Sequence, residues 1–272
     1  MRACRDFRGL AWLAVVFGAA ATPAGIVFAG NSVGQLAQPV EGINIQRCVD
    51  IIGQPGKPAL GRCPAYLVDA VKAAAQTCAE VGGRPYGIAP ASVWSLDVNG
   101  DGRLEYAYEI GANVACENAA SIFSCGSQGC PLALVEERKG AWAGIGAIYA
   151  GAPDEIQVLV NAAPPGHYDL KVGCVNGDSC TQYAFYQWNG QVYDATYLEV
   201  GDVHVDLAGS LHGLHGLVGE TAVLATPAPD GAVIARYGSS TEVAIVGQAG
   251  DYYYVSPCNA CESGFVRKTA VR

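Results

Sequence analysis

Charge is scarce in this 272-residue chain: 15% of its residues are charged, against about 25% in ordinary globular domains. Basic residues are scarcer than acidic ones, with 16 Lys and Arg against 25 Asp and Glu and a formal net charge of −9. A surface without basic excess cannot neutralise phosphates, which excludes nucleic acid as a partner and argues against an anionic membrane. Histidine is almost as rare, with only His167, His204, His212 and His215. Neither a G-x-S-x-G elbow nor an H-E-x-x-H motif is present, so the common hydrolase signatures are absent. What the chain has instead is 51% hydrophobic residues, enough to exclude disorder, and 35 Gly with 14 Pro, which favour turns over long helices.

Arg2, Arg5 and Arg8 precede the apolar run from Leu10 to Ala21, and Val27-Phe28-Ala29 offers small residues for a signal peptidase. Residues 1–29 are therefore expected to be a secretory signal, with no stable membrane insertion after cleavage. The competing reading, an uncleaved anchor, is opposed by Pro23 and Gly25, which interrupt the run before about 20 spanning residues accumulate. Cys4 leaves with the signal, so ten of the eleven cysteines remain. An even number in an exported chain reads as disulfides and places the protein in the periplasm or outside the cell. Spacing suggests the local pairs Cys125 with Cys130, Cys174 with Cys180 and Cys258 with Cys261, leaving Cys48, Cys63, Cys78 and Cys116 to pair among themselves. Cys125 could instead reach Cys116, because sequence alone does not set connectivity.

The fold class that follows is mainly β with one N-terminal helix, an α+β arrangement. Residues 30–62 carry Gly and Pro without a sustained period and read as an extended lead-in. Pro64 then opens a helix whose face is Leu67, Val71, Ala74, Ala75 and Cys78, stopped at Gly82. Short strands divided by turns follow, and Asn189-Gly190 marks a hairpin because tight hairpin turns need positive φ. The glycine-rich stretch 206–217 reads as a linker. It divides a disulfide-rich domain, 30–205, from a small β domain, 218–272.

The sharpest chemical motif is Asp97-Val-Asn99-Gly-Asp101-Gly-Arg103-Leu-Glu105. Calcium needs several hard oxygens in a tight loop: alternating side chains at Asp97, Asn99 and Asp101 would turn inward, Gly102 would permit the bend, the carbonyl of Arg103 would serve position 7, and Glu105 would serve position 9. An EF-hand would also need Glu at position 12, where Tyr108 stands, and its flanks would be helices. The loop is similar to the calcium-carrying hairpin of integrin-type propeller repeats, though its single copy excludes a propeller. The resemblance implies calcium as a structural clamp. The same acceptors would equally serve backbone amides in a turn that binds nothing.

Two wider resemblances follow. Residues 90–195 are similar to exported bacterial proteins of unestablished activity with a DxNGDGxxEY motif followed by CGxxGC, here Asp97 to Tyr106 and Cys125 to Cys130. Residues 218–272 resemble a bacterial SH3-like domain through Val233-Ile-Ala-Arg-Tyr237, Thr241-Glu-Val-Ala-Ile-Val-Gly247, Asp251-Tyr-Tyr-Tyr-Val255 and Ser263-Gly-Phe-Val-Arg267. The usual first-loop motif is replaced by Leu224 to Gly231, and the usual Trp by tyrosine. That resemblance implies a small barrel binding peptidoglycan or peptide in a groove lined by Tyr237, Tyr252 and Tyr254. The same rings could instead pack the barrel.

No catalytic constellation is visible, so a noncatalytic envelope protein is the reading, with a cell-wall hydrolase or a secreted hydrolase inhibitor as alternatives. His212-Gly-Leu-His215 with Asp206 could hold zinc, but its glycines suggest a joint instead. The carboxylate pairs Glu136-Glu137 and Asp154-Glu155 alternate sides on strands and read as solvated.

Overall fold

A computed structural model describes residues 34–52, 63–119, 123, 130–150, 156–160, 166–173, 182–207, 211–257 and 262–272. The signal segment, Cys125, Cys174, Cys180, Cys258, Cys261 and the Asp154-Glu155 pair lie outside the described residues, as do the side chains of Cys130 and His212. The chain divides into two compact units, Val33–His204 and Val205–Arg272, and both are mainly β.

In the first unit, β1 (Gly34–Leu36) and β2 (Gln38–Pro39) lead into two helices, α1 (Ile45–Ile52) and α2 (Ala65–Glu80). The second is the expected helix: Pro64 precedes it, it buries Leu67, Val71, Ala74 and Cys78, and Tyr66 joins them. Ala75 is half-buried at the edge of that face. Gly82, at φ +75°, allows the chain to turn away. The first helix corrects the extended lead-in. Its cap is Asn44, whose Oδ1 accepts the Arg47 N–H at 3.1 Å, and it buries Ile45, Cys48 and Val49, an i, i+3, i+4 face.

After the helices come β3 (Pro85–Gly87), β4 (Val93–Leu96), β5 (Glu105–Glu109), a single turn α3 (Ile110–Asn113), β6 (Val114–Cys116), β7 (Cys130–Arg138) and β8 (Ala141–Ala150). They are followed by β9 (Ile156–Leu159), β10 (Asp169–Gly173), β11 (Gln182–Trp188) and β12 (Tyr193–Val200). Strands β2-β4-β5-β7-β8 form one antiparallel run, and β1-β9-β10-β11-β12 form another. The runs share the chain at β1 and β2 and meet in parallel at Tyr193 opposite Gly146. Small β3 pairs β6 apart from them. Helices α1 and α2 pack on the larger sheet through Val93, Tyr108 and Val135, and Val114 of β6 joins the same core. Asn189 closes the expected hairpin between β11 and β12, its Oδ1 accepting the N–H groups of Gln191 and Val192, both at 2.9 Å.

Two disulfides staple the helices. Cys48 joins Cys63, with Cα atoms 5.0 Å apart, and Cys78 joins Cys116, at 5.6 Å. The alternative of Cys116 with Cys125 is thereby overturned. Such bonds are those of a chain that matures in an oxidising compartment. No helix among the described residues is long and apolar enough to cross a membrane.

The second unit follows the end of β13 (Val203–Asp206) and consists of β14 (Leu211–Gly216), β15 (Thr221–Leu224), β16 (Val233–Tyr237), β17 (Glu242–Ala249), β18 (Tyr252–Pro257) and β19 (Gly264–Arg267). Their order is β16-β15-β19-β18-β17-β14, all antiparallel. Leu217, Val223, Val243, Ile245, Val255 and Val266 form its core. The predicted linker is corrected in part: 211–216 is a strand, because Leu211, Leu214, His215 and Gly216 pair with β17.

Candidate functional site

The Asp97–Glu105 motif is the connection of the β4–β5 hairpin, closed where Leu96 stands opposite Glu105. Its side-chain oxygens organise the loop's own backbone. Asp97 Oδ1 accepts the N–H of Gly100 at 2.7 Å and of Asn99 at 3.3 Å, and Oδ2 accepts that of Gly102 at 3.1 Å. Asn99 Oδ1 accepts the Asp101 N–H at 2.9 Å, and Asp101 Oδ1 accepts the Arg103 N–H at 2.7 Å. These are Asx turns, and Gly100 and Gly102 supply the positive φ that they need, +74° and +78°. Among the described residues no three Asp, Glu, His or Cys side chains draw together as a metal site. The loop as placed is thus a backbone-capped turn and not a closed cage of ligands. Arg103 sends its guanidinium to Glu137, 2.8 Å away and largely in solvent.

Glu105 is different from the rest of the motif, since it is 2% exposed and accepts the Val98 N–H at 2.8 Å. Burial pushes its carboxyl up to about 7, the negative charges of Glu136, Asp101 and Asp97 add to this, and the Val98 hydrogen bond opposes it. Too much negative charge converges here to be comfortable. An open cleft of about 190 Å³ adjoins it, lined by Asp101, Arg103, Glu105, Glu136, Glu137 and Trp142 among others.

Glu136, on β7, corrects the expectation of a solvated carboxylate. Its side chain is only 12% exposed, and its Oε2 accepts the Arg138 Nε–H at 2.7 Å while lying 3.2 Å from His167 Nε2. Its Oε1 accepts from Asn99 Nδ2 at 3.3 Å. The His167 ring stacks on Trp188, centroids 3.9 Å apart and planes 18° apart. Tyr193 meets the imidazole edge-on, and its hydroxyl donates to the Tyr168 carbonyl at 2.7 Å. Burial is the main reason that the Tyr193 hydroxyl is held far above the usual phenol range.

No protein-family model, curated protein or solved structure matches the chain.

In the second unit, the three tyrosines assigned to a groove do not line an open one. Tyr252 is 5% and Tyr254 2% exposed, with Tyr254 tilted against Phe265 at 5.1 Å, and Tyr237 packs against the core. Alternation along β18 does turn Tyr253 to the face opposite Tyr252 and Tyr254, but that face is the core side. His215 stands in β14 rather than in a flexible joint, and its Nε2 is buried with no hydrogen-bond partner among the described residues. The apolar exposure lies elsewhere, at Val233 and Ile234, which are 48% and 40% exposed. Both belong to β16, whose sole strand partner among the described residues is β15.

Sequence reasoning reached the hairpin but not the cluster of Glu136, His167, Trp188 and Tyr193 behind it. These residues are dispersed over the chain and share no local pattern. The one usable signal was compositional: His167 is one of four histidines, two residues before the start of β10 at Asp169.

Proposed function

We propose that the protein is an exported, noncatalytic component of the bacterial envelope, periplasmic or secreted, whose SH3-like second unit binds an extended peptide, either the stem peptides of peptidoglycan or a free chain. The reading is carried by one observation: strand β16 offers the exposed pair Val233 and Ile234 and has β15 as its sole strand partner among the described residues. A strand so placed can accept an added strand, with main-chain bonds supplying affinity and side-chain contacts selectivity. The site of binding is accordingly moved from the buried tyrosines to β16. The resemblance to bacterial SH3-like domains and the disulfides support the compartment and the ligand class.

The hairpin of the first unit is proposed to take calcium as a clamp. Its ground is the negative charge that Glu136, Asp101 and Asp97 gather around Glu105, which a divalent cation would relieve by drawing in the remaining oxygen lone pairs of Asp97, Asp101 and Glu105. A second reading, a wall hydrolase, has one observation in its favour: the buried, proton-holding Glu105 shares a cleft with Asp101, Glu136 and Trp142, and carboxylates in unequal environments can divide acid and base roles.

Cosedimentation of the mature protein with purified peptidoglycan sacculi, with calcium or chelator, separates these readings. Retention without released fragments, lost in Ile234→Asp, is the expected result. Released wall fragments would decide for the hydrolase. A protein that stays in the supernatant with both additions would overturn wall binding. Thermal melting of the same samples checks the ion: calcium should raise the melting temperature, and no change would remove it from the account.

A further inference from the structure

We propose that the cleft beside the β4–β5 hairpin is a sugar-binding site: it takes a single pyranose ring of a neutral glycan, packed on Trp142 and held by the Arg103–Glu137 ion pair. This site lies in the first unit and goes beyond the peptide reading of the second. The side chains it uses take no part in the calcium clamp.

The cleft has a cause in the sheet. The β5–β7 ladder ends at Tyr106 opposite Val135, while β7 stays paired with β8 as far as Arg138 opposite Ala141. Beyond Tyr106 the two strands therefore fork, with Arg103 to Tyr106 on one prong and Glu136 and Glu137 on the other. Glu137 stands directly opposite Trp142, so carboxylate and indole lie side by side on one face. Arg103 reaches Glu137 at 2.8 Å, with 62% of its side chain in solvent. The indole is half-buried and set by two tyrosines. Tyr66 and Tyr106 stack on each other at 4.0 Å, and each meets Trp142 edge-on, at 5.2 and 5.5 Å. Its orientation is thus fixed before any ligand arrives.

These features select the ligand by chemistry. Both β7 carboxylates already have guanidinium partners, Glu137 in Arg103 and Glu136 in Arg138 at 2.7 Å, which leaves neither free for a cationic ligand. An anion would meet Asp101 and the same glutamates. What fits is a neutral molecule rich in hydroxyls. One hydroxyl donates to Glu137 and its neighbour accepts from Arg103, so a vicinal diol engages both halves of the ion pair and leaves no charge unpaired. The C–H face of a pyranose ring is flat and apolar, and it packs on an indole as other aliphatic surface does. The cleft, about 190 Å³, lies under the roughly 300 Å³ at which drug-sized pockets begin. It holds one ring and is too small for an extended peptide.

The test is isothermal titration of the full mature protein, in chelator, with cellotetraose and with tetra-N-acetylchitotetraose, followed in parallel by tryptophan emission. Neither probe carries peptide, so strand β16 has nothing to bind and the outcome is independent of the peptide reading; only the choice of the N-acetylated probe rests on the wall. A Kd of about 1 mM is expected for at least one sugar, as suits a single ring, with a shift in emission. Trp142→Ala should weaken binding about tenfold, a usual cost of truncating an aromatic anchor, and Arg103→Ala by a similar factor. Trp142→Phe should abolish the emission shift and keep part of the affinity. Absence of heat and of emission change with both sugars, up to about ten times the expected Kd, would overturn the proposal. So would undiminished binding in Arg103→Ala, a surface change that leaves the aromatic cluster intact. An emission shift produced by N-acetyl-lysine amide and by neither sugar would also overturn it, and would assign the cleft to a cation.

Discussion

Glu105 sets burial against charge. An acid whose folded pKa stands above its unfolded value holds its proton in the fold and loses it in the open chain. Stability is therefore greatest below the ordinary carboxylate range, falls as pH rises toward 7, and levels off beyond. In calcium-free buffer, urea unfolding should show this decline between about pH 4.5 and 7, on the order of 2–3 kcal/mol. Glu105→Gln, which can still accept from Val98, should flatten it and be the more stable protein at pH 8. A native curve that rises over this interval would contradict the assignment. Gly146 is constrained by contact instead: its φ is +154°, and a Cβ there would stand 3.0 Å from that of Tyr193. Since this is where β8 and β12 meet, Gly146→Ala should cost about 1–3 kcal/mol, read as a lower urea midpoint. A midpoint equal to the native one would mean that the two strands can part there without loss.

Among the elements, periodicity was legible wherever it was long or sharply punctuated. Helix α2 shows a sixteen-residue pattern between Pro64 and Gly82, and the β11–β12 hairpin announces itself at Asn189-Gly190. Helix α1 has only eight residues, and its Asn44 cap and Ile45, Cys48, Val49 face are easily lost beside Gly42 and Gly53. Strand β14 misleads more strongly, since Leu-His-Gly-Leu-His-Gly reads as a joint and becomes a strand through bonds to β17, thirty residues later in the chain. Pairing with a distant partner overrides a weak local preference. Hydrogen exchange discriminates the two descriptions: the amides of 211–216 that face β17 should be protected in proportion to the stability of the second unit, whereas a linker would exchange at the rate of an open chain.

At the scale of the whole molecule, the disulfides of the first unit compensate for a glycine-rich chain with short helices. Cys78–Cys116 closes 38 residues and ties the last turn of α2 to β6, so its main effect is to restrict the unfolded chain. The pair Cys78→Ala and Cys116→Ala should lose about 3–4 kcal/mol of stability in urea titration. A loss below about 1 kcal/mol would show that α2 is held by packing alone. Composition, the spacing of apolar residues and the number of cysteines were sufficient for a mainly β protein with a helix after Pro64, an oxidising compartment and a turn at Asp97–Glu105, because each of these depends on neighbours within a few residues. Which cysteines join, why Glu136 is buried beside His167 and Trp188, and why Tyr252 and Tyr254 are covered while Val233 and Ile234 are not, depend on residues tens of positions apart. Such contacts are selected by how the strands close on one another, and no local pattern encodes them.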